Sequence, residues 1–370
     1  MKKIALMTGK RGGWDACRPL VAMLDKSSNF VCDVLITDQH LQPEFGYTAG
    51  AVADQCMRPI TIGVSQERDS IRARLNAGAE ELSGFSDYIT NHSPDLVLVY
   101  GDRLEALMLA IACHTHRIPF AHMQSGDRTG GLDEGNRRAI EELASWHYCS
   151  MVEHAEFLRC HLGCLPIEHP TVTGDQHLDR IRLGRVTPAH DLHSKYGLFS
   201  EVGLDLDHYC LLMYHPNTDG RSITNDERTA LDVALRVTYP NNVLEIKGCS
   251  DPFYISAQGQ GIEGWPVLDT VPSEDFLGLL ANAQFIIGNS SAGIIEAPYM
   301  GTPSINVGTR QHGRIQYGHT RDATTRNEIG LAIGDAISAK HNPPSAFPYG
   351  TGHATEVIFQ HLVEWSQRNG

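Results

Sequence analysis

The sequence has no apolar run approaching the roughly 18 residues that a membrane-spanning helix needs. Its start, Met1-Lys2-Lys3-Ile4-Ala5-Leu6-Met7-Thr8-Gly9, is charged and then only briefly apolar. A secretory leader needs a longer apolar core and a cleavage site, so this segment reads as a first β-strand and the chain as cytoplasmic. Basic residues are in deficit: 30 Lys+Arg stand against 44 Asp+Glu, a net charge of −14. A surface that negative repels polyphosphate at long range, which argues against a general nucleic-acid binder. It leaves room for a small phosphorylated ligand held by a few arginines and backbone N–H groups. The nine cysteines are odd in number and scattered through apolar segments, which is not a disulfide framework. Cys160 and Cys164 are close, with His161 and His169 nearby, but zinc needs further ligands at suitable spacing, so buried thiols are the better reading. There is no internal repeat and no low-complexity tract.

What is present is an ordinary globular composition, with 41% hydrophobic and 20% charged residues over 370 positions. That length suits two core-bearing domains. Short apolar runs at 4–7, 32–36, 96–100 and 120–123 read as buried parallel strands, separated by helical stretches at 16–24, 65–92 and 103–116. A second series follows: strands at 209–214, 243–247, 285–288 and 304–307, helices at 225–239, 273–281 and 292–300. Strand–helix alternation in two blocks indicates two α/β domains with parallel sheets. The blocks meet near 173–185, before a polar stretch at 186–194. A last helix at 354–367 follows a run of Pro and Gly at 343–352. The 35 glycines are numerous enough to suggest phosphate-cradling loops.

Open α/β sheets bind ligands beyond the carboxyl ends of their strands, so chemistry is sought there. After the first strand comes Thr8-Gly9-Lys10-Arg11-Gly12-Gly13-Trp14-Asp15. Its glycines suit a tight turn, the following helix offers N–H groups, and Arg11 adds a fork of donors for a phosphate. The glycine spacing is not the dinucleotide fingerprint. After the strand at 96–100, Asp102 in Gly101-Asp102-Arg103-Leu104-Glu105 either caps the next helix or acts as an acid or base. The strand at 120–123 leads into Gln124-Ser125-Gly126-Asp127-Arg128-Thr129-Gly130-Gly131-Leu132-Asp133-Glu134-Gly135-Asn136-Arg137-Arg138, the densest polar cluster in the chain. It reads as a Gly-rich loop before a helix at 139–146. Its three carboxylates and three arginines are either a solvated salt-bridge patch or a proton-transfer set. In the second block, His215 lies just past a strand, where a histidine is either structural or placed to neutralise a diphosphate. Gly288-Asn289-Ser290-Ser291-Ala292-Gly293-Ile294-Ile295-Glu296 runs strand, small-residue turn and helix. Its serines either cap that helix or, with its N-terminal amides, make a phosphate site, and Glu296 suits ribose hydroxyls.

Together these segments resemble the hydrolysing nucleotide-sugar 2-epimerases, typified by UDP-N-acetylglucosamine 2-epimerase of sialic and legionaminic acid biosynthesis. The resemblance runs from the first strand to about Arg314. Its strongest part is Gly288-Asn289-Ser290-Ser291-Ala292-Gly293-Ile294-Ile295-Glu296-Ala297-Pro298, continuing to Arg310-Gln311-His312-Gly313-Arg314. His40-Leu41-Gln42-Pro43-Glu44-Phe45-Gly46, Gly101-Asp102-Arg103, the Thr129-Gly130-Gly131 loop and His215-Pro216 are also typical. The resemblance implies a GT-B-like fold: two Rossmann-like domains with parallel sheets facing across a cleft. Residues 1–178 would form the sugar and acid/base side, 179–352 the UDP-binding side, and 353–370 a helix packing back on the first domain. It implies that Ser290 and Ser291 hold the diphosphate, Glu296 the ribose, and Arg11 and His215 the diphosphate charge. Val271 and Phe276 resemble positions flanking the uracil. Arg103, Gln124, Arg137, Asn289, Gly293 and Arg314 would complete the substrate contacts, and a homodimer is the implied assembly.

The implied chemistry removes the C2 proton with loss of UDP, passes through a glycal-like intermediate, adds water and frees a C2-inverted sugar. It needs no metal or redox cofactor. Asp102, Asp127, Asp133 or Glu134, with His215, form the implied catalytic set. The sequence also departs from the family. Ser125-Gly126-Asp127 stands where Gly-Gly-Glu is usual, Arg137-Arg138 where Arg-His is usual, and Arg11-Gly12-Gly13-Trp14 where Arg-Ala-Asp-Tyr is usual. Gln124 stands where the non-hydrolysing branch has Glu, while Asp133-Glu134-Gly135-Asn136-Arg137 is similar to that branch. The UDP half is well matched and the sugar half altered, which suggests an unusual sugar. The competing readings are a GT-B glycosyltransferase, a non-hydrolysing 2-epimerase and a nucleotide-sugar binder without turnover.

Overall fold

The computed structural model describes residues 1–64, 70–129, 132–162, 170–196, 204–215, 225–247, 265–268, 271–339 and 341–368. The expected helix start at 65–69, Gly130-Gly131, Cys164, His169, Pro216 and Cys249 lie outside them. The chain divides into two compact units, one of Met1–Asp127, Leu132–Leu183 and Tyr349–Gly370, the other of Arg128–Gly131 and Gly184–Pro348. The division falls at the end of a helix, Gln176–Leu183, rather than inside it at 178.

In the first unit, described strands β1 (Lys2–Thr8), β2 (Phe30–Ile36), β3 (Pro59–Thr61), β4 (Leu96–Tyr100), β5 (Phe120–Met123), β6 (Trp146–Cys149) and β7 (Thr171–Val172) form one sheet in the order β3-β2-β1-β4-β5-β6-β7. All its pairings are parallel. Helices α1 (Arg11–Lys26), α2 (Ala49–Ala53), α3 (Ile71–His92), α4 (Leu104–His116), α5 (Leu132–Leu143), α6 (Val152–His161) and α7 (Gln176–Leu183) connect the strands. Strand period decides what each face buries. Ile4, Leu6, Leu96 and Leu98 pack with α1 residues Trp14, Leu20 and Leu24, whereas Ala5, Met7, Val97 and Val99 pack with Phe85 and Ile89 of α3 and Leu109 of α4. A sheet buried on both faces has only its strand ends left for polar chemistry.

The second unit repeats the plan. Its described elements are α8 (Ala189–Tyr196), β8 (Cys210–Met213), α9 (Asn225–Thr238), β9 (Val243–Ile246), β10 (Val267–Leu268), α10 (Ser273–Asn282), β11 (Phe285–Gly288), α11 (Glu296–Met300), β12 (Ser304–Val307), β13 (Thr320–Ala323) and α12 (Arg326–Ser338). The sheet order is β10-β9-β8-β11-β12-β13, again parallel throughout. In both sheets the order reverses beside the first strand, between β1 and β4 and between β8 and β11. The final helix, α13 (Ala354–Arg368), returns to the first unit, where Ile358 and Leu362 join the α1 core. Buried Asp179 of α7 caps it, accepting from the backbone N–H groups of Ala354 at 3.0 Å and Thr355 at 2.7 Å.

Three elements differ from the sequence reading. Helix α1 begins at Arg11, so Gly12 and Gly13 are helical rather than part of a turn. Helix α5 spans Leu132–Leu143, not 139–146, so half of the polar cluster is helical. Its buried face is Arg137, Ile140 and Glu141, two of them charged, which hid the helical period. Trp146 opens the buried strand β6 instead of ending that helix. The expected helix at 292–300 is a 3-10 turn, Ser291–Gly293, followed by α11. Pro298 lacks an N–H for the Ile294 carbonyl, so a continuous helix would lose that bond.

Two enclosed imidazoles give the first unit a pH dependence. His40 lies between the Thr8 hydroxyl at 3.0 Å and the Thr48 hydroxyl at 2.7 Å, and His147 meets the Ser125 hydroxyl at 2.9 Å. Burial, and after it the Arg11 charge, pushes His40 down to about 4, and burial pushes His147 down to about 4. An unfolded imidazole titrates near 6.5. Between that value and about 4 the unfolded chain binds more protons, so stability falls as pH falls. From pH 7 to pH 5 each site should lose about 2 kcal/mol, read by urea unfolding, and His147→Gln should remove its share. Equal unfolding free energies at the two pH values would contradict this assignment.

Candidate functional site

In the first unit the turn after β4 presents Asp102, whose side chain is 18% exposed. Asp102 does not cap α4. The cap position is Arg103, which makes no side-chain cap bond, and Asp102 instead pairs with Arg137. Arg137 is 1% exposed and reaches three groups at the strand ends. One is Asp102, one is the Gln124 carbonyl at 2.8 Å, and one is the Asp127 carboxylate at 3.8 Å. A buried guanidinium between two carboxylates holds both in place and cancels much of their mutual repulsion. Asp127 also lies 3.6 Å from His154 Nε2. The turn that carries it needs glycine: Gly126 has φ +82°, and a Cβ there would sit 2.5 Å from the His154 carbonyl.

Asp133 and Glu134 fall in the first turn of α5. Glu134 accepts from Arg138 Nε at 3.0 Å, and Arg138 also pairs with buried Glu141. Arg11 is the first residue of α1, and its charge is felt at His40. Gly9, just before it, allows Glu105 close, since a Cβ there would lie 2.5 Å from Glu105 Oε1. Glu105 and Asp38 both hold Arg103, at 2.8 and 3.1 Å. Gln124 donates to Asp175 at 2.9 Å. Arg103, Gln124 and Arg137, expected as substrate contacts, are thus bound to protein groups and support the loops around Asp102 and Asp127.

In the second unit the order reversal between β8 and β11 is bridged by one side chain. Asn289 accepts from the His215 backbone N–H at 2.7 Å and donates to the His215 carbonyl at 2.8 Å. This needs the two strand ends in contact. Gly288 supplies that, with φ +139° and a Cβ that would sit 2.0 Å from the Met213 carbonyl. Ser290 caps the 3-10 turn, its hydroxyl accepting from the Ala292 N–H at 3.4 Å. Gly293 lies in that turn against Ser304, and buried Glu296 opens α11. The expected row of helix amides is therefore the turn around Ser290 and Ser291, with a five-residue helix after it. The Asn289 carbonyl accepts from Arg310 at 3.1 Å and Gln311 at 2.8 Å, and Gln311 in turn accepts from Arg314 at 2.8 Å. Val271 and Phe276 are buried at the start of α10. Next to Phe276, Asp275 accepts from Thr187 at 2.7 Å, Tyr196 at 2.6 Å and Lys195 at 2.5 Å.

Sequence reasoning passed over two groups. Arg310 and Gln311 sit in the quoted 310–314 segment without a role, and the structure brings both to the β11 end. Asp175 and His177 lie in what reads as a linker, yet they stand at the end of β7 beside Gln124. The signal available was Gly174-Asp175, a glycine and carboxylate directly after three β-branched residues, Thr171, Val172 and Thr173. Cys160 is exposed, and His161 stacks on Phe157 at 3.9 Å between ring centroids. Among the described residues no helix is long and apolar enough to cross a membrane.

The sequence model of the family described as UDP-N-acetylglucosamine 2-epimerase matches residues 22–363. A Legionella pneumophila protein described as UDP-N,N'-diacetylbacillosamine 2-epimerase (hydrolyzing) is 28% identical over 370 residues, covering 98% of this chain and 96% of that one. A Neisseria meningitidis UDP-N-acetylglucosamine 2-epimerase is 28% identical over 323 residues, covering 85% of this chain and 81% of that one. Among solved structures, UDP-GlcNAc 2-epimerase from Neisseria meningitidis bound to UDP-GlcNAc has a TM-score of 0.77 at 17% identity, over 98% of this chain and 100% of that one. This likeness gives the fold as GT-B-like, built from two Rossmann-like domains with parallel sheets.

The Arg137 pairings generate a stability prediction. Arg137→Met keeps much of the side-chain bulk but leaves Asp102 and Asp127 without their shared counter-charge. Urea unfolding should show a loss of about 3 kcal/mol or more, with Arg137→Lys losing less. A loss below about 1 kcal/mol for Arg137→Met would mean that the carboxylates are neutralised some other way.

Proposed function

The chain belongs to the UDP-N-acetylglucosamine 2-epimerase family, and from that premise we propose that it is a hydrolysing 2-epimerase of a UDP-N-acetylhexosamine, releasing UDP and the free C2-inverted sugar. The observation that carries this reading is Asp102 at the end of β4, partly exposed and fixed by buried Arg137 beside Asp127. A base that removes a weakly acidic C–H proton must be ionised, rigid and open to the substrate. The pairing with the guanidinium fixes the position of Asp102, and the partial exposure leaves it open to the substrate. The hydrolysing branch is favoured by Asp127 in the Ser125-Gly126-Asp127 turn and by the likeness to the Legionella protein along nearly the whole chain.

In this reading Asp102 takes the C2 proton while the bond from C1 to the diphosphate breaks. Ser290, Ser291, Asn289 and Gly293 form the cradle for the departing UDP, with charge from Arg11, His215 and Arg314. Glu296 takes the ribose, and Val271 and Phe276 flank the uracil. Stabilising the leaving diphosphate is what makes so weak a carbon acid removable. Water then adds at C1, and a second group, from Asp127, Asp133 or Glu134, protonates C2 on the opposite face. Asp127 is one methylene shorter than the usual Glu, which fits a modified N-acetylhexosamine. A cytoplasmic homodimer belongs to the same reading.

The test is turnover of UDP-N-acetylglucosamine and modified relatives in D2O, followed by NMR. Expected products are UDP and a free C2-inverted sugar carrying deuterium at C2. A UDP-sugar that keeps its UDP while gaining deuterium would move the chain to the non-hydrolysing branch. Transfer of the sugar to an acceptor without C2 exchange would make it a glycosyltransferase. Asp102→Asn should lower turnover by about 1,000-fold while UDP affinity changes little. Turnover near the wild-type rate in that variant would remove Asp102 from the mechanism.

A further inference from the structure

Five imidazoles lie near the strand ends of the first unit, and their surroundings separate them. His40 and His147 are enclosed and pushed down to about 4. His122 is fully buried, with Nε2 2.7 Å from the Gly101 carbonyl, and burial holds it well below its usual range. His154 is buried against Asp127. His177 is different: its side chain is 16% exposed, and among the described residues its ring meets other side chains at Nδ1.

The clamp is Asp175. Its Oδ1 lies 2.9 Å from His177 Nδ1 and accepts from the His177 backbone N–H at 2.9 Å. Its Oδ2 accepts from Gln124 Nε2 at 2.9 Å and from the Ser150 hydroxyl at 3.2 Å. Burial opposes ionisation of Asp175, but the hydrogen bonds from His177 and Gln124 outweigh it and hold the carboxyl below its usual range. Beside an ionised carboxylate, Nδ1 carries the ring proton and Nε2 keeps the basic lone pair. The Tyr100 hydroxyl of β4 stands 3.1 Å from Nδ1. From α1, which packs on α7, Asp15 meets Arg180 at 3.3 Å. The Gln124 carbonyl also accepts from Arg137, which holds Asp102. One set of hydrogen bonds thus links His177, which follows β7, to Asp102, which follows β4.

The hydrolysing reaction proposed above, on which this inference rests, has two halves with different needs. Elimination needs an ionised base of fixed position, and a carboxylate paired to a guanidinium meets that need. Hydration needs a group that takes a proton from water near neutral pH and returns it to solvent, which suits imidazole. We propose that His177, oriented by Asp175, is the base of the hydration half. The water oxygen bonds to C1 of the glycal-like intermediate as one of its O–H bonds breaks, and that proton passes to Nε2. The electron pair of the C1–C2 double bond takes a proton from a carboxylic acid of the site, making the new C2–H bond. The imidazolium then gives its proton to solvent. Asp175 is a positioning residue, because it acts through the ring of His177.

The experiment is single turnover of UDP-N-acetylglucosamine by the full chain in D2O, with UDP read by chromatography and sugars by NMR. His177→Gln should release UDP close to the wild-type rate, form free C2-inverted sugar at least about 100-fold more slowly, and accumulate the unsaturated sugar. Added imidazole should restore hydration to His177→Ala, which keeps the test informative if one variant folds poorly. Asp175→Asn should slow hydration about 10-fold or more while UDP release stays close to the wild-type rate. A merely structural role would slow both steps alike. Free sugar from His177→Gln at the wild-type rate, or equal slowing of UDP release and hydration, would overturn the proposal. Wild-type enzyme that frees no deuterated sugar from any UDP-sugar would instead sink the hydrolysing reading, and that outcome is read without the variants.

Discussion

The N-terminal strand ends are organised around one buried guanidinium. Asp102 comes from the turn after β4, Asp127 and the Gln124 main chain come from the turn after β5, and Arg137 of α5 binds all of them. An arginine so enclosed is unstable without carboxylates, and the carboxylates are unstable so close together without it. Each therefore specifies the position of the others, which is what a proton-transfer site requires of its scaffold. The requirement propagates outward. Gln124 has φ +60°, an uncommon backbone for a residue with a side chain, and its carbonyl is held there by Arg137. Its side chain then meets Asp175, which fixes His177.

The second unit joins strand ends with neutral groups. Where its strand order reverses, Asn289 is the bridge, using both ends of one amide on the His215 backbone. Such a bridge works only if the strands touch, and Gly288 removes the Cβ that would hold them apart. The difference fits the two tasks. Carboxylates that handle protons need a cation to order them. In the proposed reading this loop takes the diphosphate, and its internal bonds run through amides and carbonyls.

The fold was legible where side chains obeyed a period. The central strands alternate cleanly between two cores, and the seven-residue β1 and four-residue β11 and β12 fall where the apolar runs are. What escaped notice broke the period for a chemical reason. Helix α5 buries Arg137 and Glu141, so its inward face looks like surface in the sequence. Strand β6, Trp146–Cys149, carries His147 inside a fully buried run. At the strand ends the sequence shows which polar residues are present but not how they bond. Asp102, Asp127, Ser290 and Asn289 were picked out by their place at strand ends, whereas the bonding of Arg103, Gln124 and Arg137 to protein groups depends on partners up to 65 positions away. The Asp175–His177 pair was hidden because β7 has only two residues, too few to announce a strand end.

The charge balance gains a structural meaning from these pairings. An acidic chain that is to hold a diphosphate must keep some of its cations from being neutralised internally. In the first unit Arg103 is paired with Asp38 and Glu105, Arg137 with Asp102 and Asp127, and Arg138 with Glu134 and Glu141. Their positive charge is matched by carboxylates and contributes little field at a distance. At the β11 end Arg310 donates to a main-chain carbonyl and Arg314 to an amide oxygen. Under the proposed reading the net −14 is compatible with a diphosphate site, because the field there is set by the groups around the loop rather than by the acids of the whole surface.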